Sequence, residues 1–219
     1  MKFDIPEMPV KYIDGKRYYV TPEGVKYPSI TTILACDPEK QKILEKWRER
    51  VGEKEADRIS RVASQRGTSM HEMCEHYLDG EEDYSIGHMP DAQALFHSIR
   101  EDLDDIDEVW AQETPLYSNH LKAAGRVDLI GKYKGTPSII DFKTSGKPKQ
   151  KSWITDYFIQ CAVYAVMFEE MTGVPIPQIV IIMAIEGGLS QVYVERRNKY
   201  IGGYFKLRKE YDNQNGIVA

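Results

Sequence analysis

The sequence predicts a single α/β domain over residues 1–219, and three observations support that prediction. Apolar residues make up 42% of the chain, which is enough to build a hydrophobic core. The length of 219 residues suits one domain or a domain with a small attachment. From residue 68 onward, hydrophobic periodicity predicts two helices, three strands, a helix, two strands and a helix, in that order.

The first 65 residues are predicted to form a hairpin and helical attachment. Residues 9–28 carry strand-forming tyrosines around an Asp14-Gly15 turn, which indicates a β-hairpin. A short helix over 29–36 can be capped by its first residue, a serine. A charged helix is predicted over 38–64, because an Asp-Pro pair suits its N-cap and first helical position.

Residues 66–195 are predicted to form the core of the domain, and 196–219 a C-terminal helix and tail. The predicted helices cover 68–78, 91–107 and 153–171, with a last one from about 198. The predicted strands cover 109–117, 123–133, 138–143, 178–185 and 189–195, the last at a sheet edge.

Charge, cysteine content and hydropathy exclude several classes of protein. The net charge of −5 argues against a nonspecific nucleic-acid coat. Cys36, Cys74 and Cys161 lie far apart without a CxxC spacing, so we expect buried thiols and no disulfide scaffold, four-cysteine zinc site or iron–sulfur cluster. Because no membrane-spanning run or signal peptide is evident, we expect a cytoplasmic protein without membrane contact.

Two predicted strands carry a pair of carboxylates and a lysine. If the strands turn at Lys134-Gly135, antiparallel pairing places Asp128 opposite Asp141, with Cβ atoms about 5 Å apart. Asp141 and Lys143 are two residues apart and therefore share one face of their strand. Phe142 points to the other face, into the core.

Two facing carboxylates repel each other and raise each other's pKa, whereas a divalent cation makes the arrangement favourable. Mg²⁺ is often held by one or two carboxylates, with water and phosphate completing its ligands. Lys143 beside such an ion can neutralise a phosphate or orient a water, which suits phosphodiester hydrolysis. The alternative is that all three are ordinary polar residues on an exposed sheet face.

The motif Gly125-Arg126-Val127-Asp128, followed after twelve residues by Asp141-Phe142-Lys143, resembles the PD-(D/E)XK nucleases. It is most similar to the RecB-like exonuclease branch, which includes phage exonucleases, and the resemblance covers about residues 66–186. It implies a restriction-endonuclease-like core, a mixed central sheet flanked by helices. It also implies that Asp128 and Asp141 hold one or two Mg²⁺ or Mn²⁺ ions while Lys143 activates or orients the attacking water. Many members have Glu at position 141, and we expect the shorter Asp still to bind metal.

A second motif, Arg66-Gly67-Thr68 followed by His71, resembles a helix motif of the same branch. The resemblance implies that His71 is a further metal ligand and that Arg66 and Thr68 contact DNA. Alone, such a histidine is more often a surface or core residue. His76 lies five residues further on rather than four, which excludes a zinc-protease HExxH motif and predicts a structural role.

Glu113 lies on the strand before Asp128, and a hairpin through 118–120 brings it near Asp128 and Arg126. The family resemblance implies a glutamate at the edge of the catalytic site, in contact with metal-bound water or DNA. The alternative is a cross-strand pair between Glu113 and Arg126, which is otherwise a candidate DNA contact.

Gln160 and Tyr164 are four residues apart and therefore share one face of a long apolar helix. This Q-x-x-x-Y pair resembles a feature of the RecB-like branch that lines the site and touches DNA. Buried tyrosines are common, so a core role for Tyr164 is the alternative, but a buried glutamine amide needs polar partners.

A basic loop follows the strand that carries Lys143. It is predicted to hold DNA phosphates, and its polar residues are Thr144, Ser145, Lys147, Lys149 and Lys151. A solvated run of lysines is the alternative.

Together these features predict a metal-dependent deoxyribonuclease, an exonuclease acting on single-stranded ends in phage-type replication or recombination. Its partners would be DNA and replication or recombination proteins, and a phage-encoded enzyme would act in the host cytoplasm. The alternatives are a structure-specific endonuclease of the same fold, a noncatalytic DNA-binding module, and a hydrolase of a nucleotide or small phosphoester. The absence of a nucleotide-binding glycine loop and the presence of the basic loop favour a polymer over a small substrate.

Overall fold

The structure is a computed structural model that describes residue 3 and residues 5–217. The strands are β1 (Val10–Ile13), β2 (Lys16–Val20), β3 (Lys26–Pro28), β4 (Ile106–Ser118), β5 (Ala123–Tyr133), β6 (Thr136–Ser145), β7 (Gln178–Ile185) and β8 (Leu189–Arg196). The helices are α1 (Ile30–Leu34), α2 (Pro38–Val51), α3 (Glu53–Leu78), α4 (Pro90–Leu103), α5 (Thr155–Thr172) and α6 (Ile201–Gln214).

A five-stranded sheet with the order β4-β5-β6-β7-β8 forms the centre of the molecule. Neighbouring strands are antiparallel except β6 and β7, which are parallel and are connected by α5. A parallel pair needs such a crossover because its strands run in the same direction. The predicted fold class, an α/β domain with a mixed central sheet flanked by helices, is confirmed.

Both faces of the sheet are covered by helices. Ile139 and Ile181 pack with residues of α1, α5 and α6, whereas Ile140 and Ile182 pack with residues of α3 and α4. This alternation follows from the two-residue period of a strand and explains why β7 is apolar along most of its length. The three cysteines are buried and free, as the sequence predicted.

The helical attachment differs from the prediction. Helix α2 ends at Gly52, whose φ of 86° lies in the left-handed region that favours glycine. Helix α3 then runs without a break through the gap predicted between residues 64 and 68, so two predicted helix boundaries are wrong. The expected division between attachment and core, after residue 65, falls inside this helix. Gly67 remains helical, and a Cβ there would make an ordinary van der Waals contact, 3.8 Å from the Thr144 hydroxyl oxygen.

Other element boundaries shift by a few residues. The predicted N-terminal hairpin is a three-stranded sheet, in the order β1-β2-β3, and the predicted helix over 91–107 ends earlier because β4 already begins at Ile106. Trp153 lies in a 3₁₀ turn before α5 rather than inside the helix. Ser29 caps α1 as predicted, since its hydroxyl accepts a hydrogen bond from the Thr32 N–H.

The predicted C-terminal tail extends beyond α6 and includes residues 218 and 219, which lie outside the described residues. Within the described part of the chain, no helix has the length and apolar character needed to cross a membrane.

Candidate active site

The candidate site lies where β5 and β6 separate. Their ladder begins beside the predicted turn, where Tyr133 pairs with Thr136, and it ends where Leu129 pairs with Ile140. Asp128 is the next residue beyond this last pair, and its Oδ2 accepts a hydrogen bond from the backbone N–H of Phe142 at 2.9 Å. The side chain of Asp128 thus takes the place of the next backbone hydrogen bond between β5 and β6.

Asp141 is fully buried beside this gap, at 0% exposure. Its carboxylate forms an ion pair with the Lys143 ammonium, but among the described residues neither oxygen has a hydrogen-bond donor in suitable geometry. Burial raises the pKa of Asp141, and the positive charge of Lys143 opposes that effect. Buried polar atoms are seldom left unsatisfied, so this carboxylate is well suited to a cation.

Lys143 is held between two side chains on the α5 face of β6. Its ammonium pairs with Asp141 and lies 5.2 Å from the centre of the Tyr157 ring, which belongs to α5. Burial disfavours the charged ammonium, but the carboxylates of Asp141 and Asp128 outweigh it and raise the pKa of Lys143. Lys143 is therefore positively charged at neutral pH.

Glu113 faces Asp128 from β4 in an unusual backbone conformation. Its φ is 43°, in the left-handed region that costs a non-glycine residue roughly 1–3 kcal/mol. Burial raises the pKa of the Glu113 carboxyl to about 7, and the negative charges of Asp128 and Glu75 add to that effect. Both the strain and the repulsion indicate a position kept for a ligand rather than for stability.

His71 completes the group from α3. Its Nδ1 lies 3.5 Å from Oδ2 of Asp128, and its ring makes an edge contact with Phe142 at 5.9 Å between centres. Ligand atoms of His71, Glu113 and Asp128 all lie within 4.8 Å of one another, which suits a metal ion.

The sequence predicted His71, Asp128 and Asp141 as metal ligands. The group described above contains Glu113 and not Asp141, so a ligand role for Asp141 stays a prediction. The strand pleat separates Asp141 from His71. Asp141 lies on the α5 face of β6 beside Lys143, while His71 approaches from α3 on the opposite face. Asp128, in the gap between β5 and β6, lies between the Asp141–Lys143 pair and His71.

A cleft of about 480 Å³ opens between α3 and β4 next to this group. Its lining residues are Ser64, Gly67, Thr68, His71, Glu72, Glu75 and Glu113. Thr68, a predicted DNA contact, therefore lies at the site. Glu75 was not among the predicted residues, although it follows His71 by four positions and so lies on the same face of α3.

The two arginines predicted to contact DNA are both held by carboxylates. Arg66 pairs with Glu186, the residue after β7, at 2.5 Å. Arg126 pairs with Glu7 at 2.7 Å and also donates to the backbone carbonyl of Glu113. The alternative of a side-chain pair between Glu113 and Arg126 is thus replaced by a side-chain-to-backbone bond.

The loop after β6 is ordered by contacts with β8. The Lys149 N–H donates to Gln191 at 2.7 Å, the Lys149 carbonyl accepts from the Tyr193 hydroxyl at 2.6 Å, and Lys151 pairs with Glu195. The side chains of the predicted DNA contacts in this loop differ in their exposure. Lys147 is exposed and Thr144 is half-buried, whereas the Ser145 hydroxyl is buried and donates to the Lys147 carbonyl.

Gln160 and Tyr164 are buried beside the site, at 8% and 1% exposure, which leaves little of either side chain for DNA contact. Gln160 donates a hydrogen bond to the Tyr164 hydroxyl at 3.4 Å. A Cβ at Gly125 would lie 2.7 Å from the Tyr164 ring, so the glycine of the Gly-Arg-Val-Asp motif makes room for this tyrosine. His76 pairs with Glu81 at 2.7 Å, outside the site.

Comparison with known proteins supports the resemblance to a nuclease family. Residues 96–202 match the family described as the PD-(D/E)XK nuclease superfamily. The match contains the Asp128 and Asp141-Phe142-Lys143 motif of β5 and β6, and the observed sheet agrees with the core that this motif implied. The chain is therefore similar to this superfamily over its central sheet and α5.

Mitochondrial genome maintenance exonuclease 1 of Mus musculus is 35% identical over 129 residues, which cover 56% of this chain and 38% of the relative. The Homo sapiens protein of the same name is 30% identical over 132 residues, with the same two shares. The match therefore spans well under half the length of these curated relatives. A solved structure from Eubacterium rectale, described as a candidate exonuclease, is similar over 72% of this chain and 69% of its own, with 14% identity and a TM-score of 0.46.

Proposed function

We propose that this chain hydrolyses DNA phosphodiester bonds with the help of Mg²⁺ or Mn²⁺, bound as one or two ions. The observation that carries the proposal is the convergence of Asp128, Asp141, Lys143, Glu113 and His71 at the split between β5 and β6. Such a set of three acidic groups, an imidazole and a charged lysine has little structural purpose, because its carboxylates repel one another.

His71, Glu113 and Asp128 are the residues that would hold a cation, and the carboxylate of Asp141, which among the described residues is paired only with Lys143, offers a further acceptor group. A divalent cation in such a site polarises a phosphoryl oxygen and lowers the pKa of bound water. Lys143, charged and held against Tyr157, would stabilise the negative charge that develops on the phosphate.

A polymeric substrate is supported by the surface beside the site. The loop after β6 presents an exposed lysine, Lys147, and leads to Trp153, which is 55% exposed. Lysines suit phosphates, and an exposed indole ring suits stacking on a base. Both features follow the strand that carries Asp141 and Lys143, and this favours DNA over a small phosphoester.

The finer proposal is an exonuclease that acts on single-stranded ends in phage-type replication or recombination, in the cytoplasm. The names of the curated relatives support exonuclease activity, and the branch resemblance of the two sequence motifs supports the phage context. Replication or recombination proteins would then be its partners.

Digestion of DNA labelled at the 5′ or 3′ end, single- and double-stranded, tests the proposal in Mg²⁺, in Mn²⁺ and in a chelator. We expect linear single strands to be degraded only with a cation, and a circular single strand of the same sequence to survive. Cleavage of the circle would instead identify an endonuclease. DNA binding without any cleavage would identify a noncatalytic module, and hydrolysis of a small phosphoester alone would remove DNA as the substrate.

A further inference from the structure

The ring of Tyr157 on α5 lies against two lysines from different parts of the chain. The Lys143 ammonium is 5.2 Å from the ring centre, and the Lys40 ammonium of α2 is 6.0 Å from it. Helix α2 has no buried side chain, and Lys40 extends from it to Asp156 and Tyr157 of α5. Neither the sequence motifs nor the family comparison assigns Lys40 or Tyr157 a role.

Each of the two ammonium groups has a carboxylate partner. Lys143 pairs with Asp141, and Lys40 pairs with Asp156, the residue before Tyr157. The side chain of Lys40 is 42% exposed, whereas those of Asp156 and Lys143 are only 17% and 20% exposed. Lys40 can therefore exchange its partner for a ligand from solvent.

The phenol of Tyr157 is suited to orient cations. Burial raises the pKa of its hydroxyl, and the charge of Asp156 adds to the effect, so the ring stays neutral and keeps an electron-rich face. The two ammonium groups lie 5.2 Å and 6.0 Å from the same ring centre, and both attract an anion. A phosphate group, with several oxygens that accept charge-assisted hydrogen bonds, fits that requirement.

We propose that Lys40 and Lys143 together bind one backbone phosphate of a DNA strand, with Tyr157 as the positioning residue for both ammonium groups. This inference rests on the proposed function. In the complex the phosphate takes the place of Asp156 as the partner of Lys40, and it links α2 to the catalytic strand β6. The DNA strand is thereby fixed on the α5 side of the site, opposite His71.

Binding of a fluorescent single-stranded oligonucleotide, measured by anisotropy in a chelator over a range of salt concentrations, tests this subsite. The variants are Lys40→Ala and Lys42→Ala, which remove the same charge from the same helix. Lys42 is a matched control because it is 65% exposed and pairs with Glu39. We expect Lys40→Ala to weaken binding several-fold and to reduce the slope of log K against log salt by about 0.7, the value for one phosphate contact on a single strand. Lys42→Ala should change neither.

Two further variants distinguish phosphate binding by Lys40 from a purely structural role of its ion pair with Asp156, which connects α2 to α5. Lys40→Arg keeps the charge and should keep the salt slope. Asp156→Asn breaks the ion pair but leaves Lys40 available, and so should leave binding equal or tighter. If Asp156→Asn weakens binding as much as Lys40→Ala, Lys40 is a structural tie and the inference is wrong.

The same measurements distinguish this inference from the proposed function. Wild-type protein that cleaves DNA, combined with identical binding by Lys40→Ala and Lys42→Ala, overturns the subsite alone. Wild-type protein that binds DNA without cleaving it, combined with a reduced salt slope in Lys40→Ala, supports the subsite and rejects the nuclease. A wild-type protein that binds no DNA overturns both.

Discussion

The carboxylate of Asp128 accepts a hydrogen bond from the backbone N–H of Phe142, with 2.9 Å between Oδ2 and N. The bond lies just beyond the last pair of the β5-β6 ladder, where Leu129 meets Ile140. One carboxylate oxygen therefore satisfies the backbone of the neighbouring strand at the place where the two strands part. Asp128 therefore has two roles, a hydrogen bond that supports the sheet and a negative charge in the candidate site. Substitution can separate the two roles.

Asp128→Asn should retain the fold better than Asp128→Ala. An amide oxygen can still accept from the Phe142 N–H, whereas alanine leaves that donor without its partner, at a cost of roughly 1–3 kcal/mol. Asparagine also removes the repulsion with Glu113 and Asp141. Urea unfolding in a chelator measures the difference. Equal loss of stability in both variants would show that the hydrogen bond contributes nothing.

Mn²⁺ should raise the melting temperature of the wild-type protein, because binding to the folded state relieves the repulsion among the carboxylates. The rise should be much smaller in Asp128→Asn and in Glu113→Gln. Glu72→Gln is the matched control, since Glu72 lines the same cleft but lies outside the group of three ligands. If Glu72→Gln loses the rise and the other two variants keep it, the ion binds elsewhere in the cleft.

Asp141→Ala and Lys143→Ala should each abolish DNA cleavage while the circular dichroism spectrum stays that of the folded protein. Loss of the lysine removes stabilisation of transition-state charge, an effect often worth ~10²-fold or more in rate. Lys206→Ala, an exposed lysine on α6, removes the same charge far from the site and should retain the wild-type rate. Wild-type rates in Asp141→Ala or Lys143→Ala would contradict the assigned roles.

Gly125→Ala should destabilise the protein, by an overpacking cost of about 1–3 kcal/mol. The added Cβ would come within 2.7 Å of the Tyr164 ring, which is buried and cannot easily move. Gly202→Ala on α6 is the control, because nothing lies within 4 Å of its added Cβ and alanine favours a helix. Denaturation midpoints measure both, and an unchanged midpoint for Gly125→Ala would mean that the tyrosine moves aside.

The stability of the cation-free protein should fall as pH rises from about 4.5 to about 7, in part because of Glu113. Its folded-state pKa is raised from 4.5 to about 7, so the folded state binds the proton more tightly than the unfolded state. Stability from this group is present below pH 4.5 and is lost as pH rises through 7. Glu113→Gln should show a shallower decline in urea titrations, and an identical pH dependence in the two proteins would contradict the raised pKa.

The pairing of β5 with β6 could be predicted from the chain because it depends on short-range rules. The turn at Lys134-Gly135 and the two-residue period of a strand together determine which residues face each other. The same rules put Asp141 and Lys143 on one face and Phe142 on the other. The glycine, arginine and aspartate of the β5 motif were likewise visible, although the reason for the glycine, the ring of Tyr164, was not.

The continuity of α3 was missed because local signals were ambiguous. Glycine often marks the end of a helix, and both Gly52 and Gly67 are candidates for that role. Only Gly52 has the positive φ that ends a helix. Gly67 is helical without being crowded, because a Cβ there would make an ordinary contact with the Thr144 hydroxyl oxygen at 3.8 Å. That neighbour is distant in the chain, and no local pattern reveals it.

The sequence alone determined how β5 pairs with β6, because turn chemistry and strand periodicity act over a few residues. The composition of the candidate ligand group was decided by the packing of separate elements. Glu113 joins it through a strained backbone in β4 and His71 through the docking of α3, while Asp141 pairs with Lys143. The contact of Lys40 with Tyr157 has the same origin, since α2 and α5 meet only in three dimensions. Distances between elements depend on how the whole core packs, and that information is not contained in any single segment.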